Sequence, residues 1–81
     1  MRYFLVLGQP LDGGLESCPW YYTKQDAISA FCDYAREGMR TGLDEEPTGA
    51  VHAAPSRETL SDYPDWILSI GPRGGVRVDR A

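Results

Sequence analysis

Between Thr23 and Gly42 the apolar residues Ala27, Ile28, Phe31, Cys32, Ala35 and Met39 recur at helical spacing, and this stripe constrains the fold most. Lys24, Gln25, Ser29, Asp33, Arg36, Glu37 and Arg40 fall on the other side, as an amphipathic surface helix requires. Thr23 is placed to cap the free amides of the first turn, and Asp26 puts negative charge at the positive end of the helix dipole. With Asp at that position instead of Glu, the reciprocal capping-box contact is weaker. Gly38 or Gly42 ends the helix; Gly42 is the better terminator, with Arg36 and Arg40 in the last turns.

The stripe needs a second layer, and the flanking segments read as strands. Residues 2–8 (Arg-Tyr-Phe-Leu-Val-Leu-Gly) are almost continuously apolar, which predicts a strand buried on both faces or central in its sheet. Residues 10–14 hold an Asp-Gly pair suited to a tight turn, and residues 15–22 read as a returning strand. Pro19 then has to sit at an edge or a bulge. A second hairpin is predicted from residues 65–70 and 76–79, which flank the turn-forming loop 71–75. Trp66, Leu68 and Ile70 share one face of its first arm. Val76 and Val78 share a face of the second, while Arg77 and Asp79 point to water.

Residues 43–55 are the least regular stretch, with a short strand expected around residues 50–53. Residues 56–62 suit a single helical turn capped by Ser56 and stopped by Pro64. The expected architecture is α+β: one domain over residues 1–81, with an antiparallel sheet of about four strands, in two hairpins, packed against one helix.

Charge and motifs narrow the function classes. Eight basic and twelve acidic residues give a net charge of −4 and a pI near 4.7. Phosphate binding calls for a basic footprint, so direct nucleic-acid binding is disfavoured and basic protein partners are favoured. The apolar run at residues 3–7 is too short for a signal segment or a membrane span, and a cytoplasmic protein is expected. Cys18 and Cys32 allow one bridge, yet Cys32 lies on the helical stripe, where a thiol acts as a small hydrophobe. His52 is the only histidine and is expected to face solvent or to be locally bonded. With no Cys-x-x-Cys, no paired histidines and no calcium-loop pattern, neither a metal nor a cofactor is expected. The glycine-rich loop 71–75 leads into strand-like Val-Arg-Val-Asp, which fits a hairpin turn rather than a phosphate cradle. No carboxylate pair has a context that would hold it in a dry pocket, so catalysis is not expected.

What remains is uneven charge and aromatic side chains. Residues 41–65 carry Asp44, Glu45, Glu46, Glu58, Asp62 and Asp65 against Arg57 alone, whereas residues 66–81 carry Arg73, Arg77 and Arg80 against Asp79. The acidic segment is either a solubilising loop or a negative patch that docks a basic surface. Tyr and Trp are frequent interface anchors, and also natural fillers of a small core. Trp66 and Tyr22 are assigned to the core; Trp20, Tyr21 and Tyr63 are the candidates for exposure and partner contact.

In size, acidity and lack of catalytic motifs the chain resembles the small phage-encoded anti-CRISPR proteins, in particular inhibitors of type I surveillance complexes. The resemblance extends over the whole chain as a type and carries no shared motif. It implies a non-catalytic inhibitor in the host cytoplasm whose carboxylates stand in for DNA phosphates on a basic effector groove. On that reading Asp44, Glu45, Glu46, Glu58, Asp62 and Asp65 mimic phosphates and Tyr63 is an anchor. The arginines at 73, 77 and 80 must then face away or pair with acidic neighbours. The other reading is an adaptor or subunit of a bacterial or phage complex, bound through aromatic and apolar contacts.

Overall fold

The computed structural model describes residues 1–8, 14–40, 42, 47–71 and 73–81. Among these the chain forms β1 (Arg2–Leu7), α1 (Gly14–Ser17), β2 (Trp20–Tyr21), α2 (Lys24–Arg40), β3 (Thr48–Ala54), a 3-10 turn (Arg57–Thr59), β4 (Trp66–Ile70) and β5 (Val76–Arg80). The strands make one five-stranded sheet in the order β2-β1-β3-β4-β5, with every neighbouring pair antiparallel. The fold is therefore α+β as expected, with one strand more than the sequence suggested. Because β2 and β3 both run antiparallel to β1, they are parallel to each other across it, and α2 makes the crossover between them.

The α2 helix starts and stops where the sequence places it. The Asp26 amide donates to Thr23 Oγ1 at 3.0 Å, and Gly42 follows with φ +80°. Ala27, Phe31 and Ala35 are buried against Leu5, Val51 and Leu68, with Tyr3, Tyr21, Ile28, Tyr34, Trp66, Ile70 and Val76 around them. The alanines let the helix approach closely, and Phe31 fills the centre.

Close approach also explains β3, the central strand, of which only residues 50–53 were expected to be strand. Its sequence Thr-Gly-Ala-Val-His-Ala-Ala has little intrinsic strand character, yet it pairs with β1 from Gly49 to Ala54 and with β4 from Thr48 to Val51. A Cβ at Gly49 would stand 2.9 Å from Phe31 Cδ1 and 3.3 Å from the Val6 carbonyl oxygen. At this position the space under α2 admits no side chain.

β1 has Phe4, Leu5 and Val6 buried in succession, so both of its faces are covered. Leu5 faces α2. Phe4 and Val6 face the other way and pack with Cys18 and Ala54, bordered by Leu15, Trp20 and Leu60. The first hairpin is corrected by this arrangement. Instead of a strand over residues 15–22, the chain makes the short helix α1 and only then the two-residue edge strand β2. α1 places Leu15 and Cys18 over the second face, a position that a strand could not supply from the sheet's own plane. Pro19 lies just before that edge and accepts a bond from the Leu5 amide at 3.0 Å. The turn expected at residues 10–14 lies outside the described residues, apart from Gly14 at the start of α1.

The second hairpin is as expected, with Ile70 opposite Val76 and Leu68 opposite Val78. Cys18 and Cys32 are both free, and they sit on opposite sides of the sheet. No helix among the described residues is long and apolar enough to cross a membrane.

Candidate protein-binding surface

The segment 55–65 crosses the face of the sheet opposite α2 and is tied down at three places by polar bonds. At its start Arg57 reaches α1: Nη1 donates to the Leu15 carbonyl and Nη2 to the Cys18 carbonyl, each at 2.7 Å. The guanidinium also lies over the Phe4 ring, 5.0 Å from its centroid. A cation on the last carbonyls of a helix satisfies acceptors that have no partner within the helix. The turn between is closed by Thr59, whose hydroxyl donates to the Ser56 carbonyl at 2.9 Å and accepts from the Ser56 amide at 3.3 Å.

The second tie is His52. It is 2% exposed and pairs across the sheet with Phe4, so the solvent-facing alternative is excluded and the locally bonded one holds. Its Nδ1 lies 3.1 Å from the Ser61 carbonyl oxygen. A carbonyl only accepts, so Nδ1 carries the hydrogen of that bond. Nε2 is buried and has no hydrogen-bond partner among the described residues.

The third tie is Asp65, at the far end. Its Oδ2 accepts from the Ala53 amide at 2.7 Å, and its own amide donates to the Val51 carbonyl at 2.9 Å. Asp65 is half-buried, and its carboxylate is committed to β3.

Anchored in this way, the segment presents Glu58, Asp62 and Tyr63 outward. All three are exposed, Tyr63 at 81%, and Glu58 and Asp62 form no ion pair among the described residues. Glu58 sits on the Arg57–Thr59 turn, and Asp62 lies where the Tyr63 amide donates to Ser61 Oγ at 3.2 Å. The only cation of the segment is drawn inward against α1, so the outer surface is negative. Asp44, Glu45 and Glu46 lie outside the described residues.

The aromatic residues divide differently from the expectation. Tyr63 is exposed, as assigned, whereas Trp66, assigned to the core, is half-buried at its margin. Tyr22 is corrected: it is 78% exposed, because β2 ends at Tyr21 and the chain turns into α2 there. Trp20 and Tyr21 are half-buried on opposite faces, Trp20 with the Phe4 group and Tyr21 with the Leu5 group. Tyr22 stands edge-on to Trp20 at 4.9 Å, and Arg2 covers the Trp20 ring at 4.4 Å. This makes a second small surface at the β2 edge.

Of the three late arginines, two are engaged locally and Arg73 is exposed. Arg77 pairs with Asp79 at 2.9 Å, and Arg80 lies 6.0 Å from the Trp66 ring centroid, on which Lys24 also sits at 4.8 Å. Sequence reasoning missed Arg57, His52 and Asp65 as anchors. Their partners are backbone groups brought near by the fold, and no motif announces such a bond. No group of three or more His, Cys, Asp and Glu side chains suited to a metal ion occurs among the described residues.

The sequence matches no protein-family model, no curated protein and no solved structure.

Proposed function

We propose that this protein is a non-catalytic inhibitor that docks its acidic 55–65 surface on a basic nucleic-acid-binding groove, in the manner of the anti-CRISPR proteins it resembles. The observation that carries the reading is the anchored segment with two carboxylates, Glu58 and Asp62, that form no ion pair among the described residues, beside the exposed ring of Tyr63. Carboxylates held on a fixed backbone meet a lysine- and arginine-lined groove with little ordering cost, and an exposed tyrosine adds contact area with few rotors to freeze. Asp44, Glu45 and Glu46 enter the proposal by their charge in the sequence alone, since they lie outside the described residues. Asp65 contributes mainly by holding the segment in place.

The test uses a purified type I surveillance complex and its target duplex. The protein is expected to prevent target binding, less so as salt is raised. Joint replacement E58Q/D62N/D44N/E45Q/E46Q is expected to abolish the effect while circular dichroism stays native. Retained potency in that variant rejects the charge-mimic mechanism.

The alternative reading, an adaptor in a bacterial or phage complex, is favoured by the exposed Tyr22 on the Trp20–Arg2 stack. It predicts association that tolerates high salt and is lost with Y22A.

A further inference from the structure

The sheet ends at β5, which has β4 on one side and, among the described residues, no strand on the other. The bonds at the two ends of the β4–β5 ladder, Gly71 amide to Gly75 carbonyl at 2.7 Å and Ala81 amide to Asp65 carbonyl at 3.1 Å, set its phase. Antiparallel pairs alternate between hydrogen-bonded and non-hydrogen-bonded, so Arg77 and Asp79 direct their backbone groups to β4. Val76, Val78 and Arg80 direct theirs to the open side, where no bond is made to them among the described residues. The side chains divide by the same alternation. Val76, Val78 and Arg80 lie on the α2 side, with Val78 exposed at 38%; Arg77 and Asp79 lie on the other, both solvent-facing.

An open edge of this kind is a template for another strand unless charge or proline blunts it. Here the charges select the partner. We infer that β5 pairs antiparallel with β5 of a second copy of this chain, centred on Val78. In that register Val78 meets Val78, Val76 meets Arg80, and Arg77 of each copy stands opposite Asp79 of the other. All three outward-facing residues then exchange both backbone bonds. The existing Arg77–Asp79 pair becomes half of a four-charge cluster of alternating sign. Sliding the strands one step either way, while keeping the outward residues opposite each other, sets Arg77 against Arg77 or Asp79 against Asp79. Like charges directly opposite oppose pairing. The arrangement is isologous, as a two-fold dimer requires, and joins the two sheets into one. Five-residue edges bury less than a standard interface, so the expected association is weak and concentration-dependent.

The experiment is sedimentation equilibrium over a wide concentration range on the native chain, R77D, D79R and their equimolar mixture. The native chain is expected to dimerise as concentration rises. Each single variant faces like charge with like, and should associate on the order of tenfold more weakly. Mixing R77D with D79R restores opposite charges at both positions and should recover a dimer. V78P removes an outward amide without touching the β4 ladder and should give a folded monomer, with native circular dichroism as the control. A native chain that stays monomeric at its solubility limit overturns the inference. So does a dimer undiminished in the single variants, or a mixture no more associated than its components.

Discussion

On one face of the sheet a 17-residue helix lies over Leu5, Val51 and Leu68; on the other, two short segments are held through Arg57, His52 and Asp65. The first cover is an apolar stripe repeated over several turns, so its stabilisation is spread over many contacts. The second has a smaller apolar group, Phe4, Val6, Cys18 and Ala54, and depends on single side chains that reach backbone carbonyls and amides. A face held in the second manner can present charge outward on a fixed backbone, because the anchors rather than the exposed residues determine its shape. That is why the candidate binding surface lies there and not on α2, whose outer residues are an ordinary solvated helix face.

The comparison can be broken most severely at Phe31. F31A empties the centre of the α2 face and is expected to cost about 3–5 kcal/mol in urea denaturation, a large part of the stability of a domain this size. A loss below about 1 kcal/mol would mean that the helix is not seated as described.

R57M addresses the opposite face. It removes two charge-assisted bonds to carbonyls while keeping the apolar stem, and the expected loss is about 1.5–3 kcal/mol. Hydrogen exchange should then rise in residues 14–20 and 55–65 while α2 stays protected. Equal loosening of both faces would show that they are not separately held.

G49A tests the close approach between α2 and β3. The added methyl meets Phe31 at 2.9 Å and is expected to destabilise by about 1–3 kcal/mol. Part of that should return in the double variant G49A/F31L, where a smaller side chain faces the new methyl.

The smallest effect belongs to the binding residues. E58Q/D62N leaves every anchor in place, so the thermal midpoint should change by no more than about 0.5 kcal/mol in equivalent stability. If that pair destabilises as much as R57M, the two carboxylates have structural partners and the division between anchors and presented charge fails.

How much of this was legible follows the same division. The stripe from Ala27 to Ala35, the Thr23 cap, the apolar run of β1 and the β4–β5 hairpin are all periodic or local signals, and each stands in the structure where the residues place it. β3 was only partly legible because its small residues have little strand propensity, and Gly49 answers to Phe31 above it. α1 was read as strand because four residues are too few to show a helical period. In the candidate site, the exposure of Tyr63 and the acidity of the segment were legible. The commitment of Asp65 to Ala53 was not, nor was the burial of His52, since both depend on segment 55–65 crossing over β3.

The sequence by itself determined the α+β class, the helix and its ends, the strands with strong apolar character, and the excess of negative charge, because periodicity and charge are properties of the chain before it folds. Tertiary structure decided which strand is central, which carboxylates stay free and which edge stays open. Those depend on what each backbone amide and carbonyl finds as a partner, and the partners are brought together only by packing.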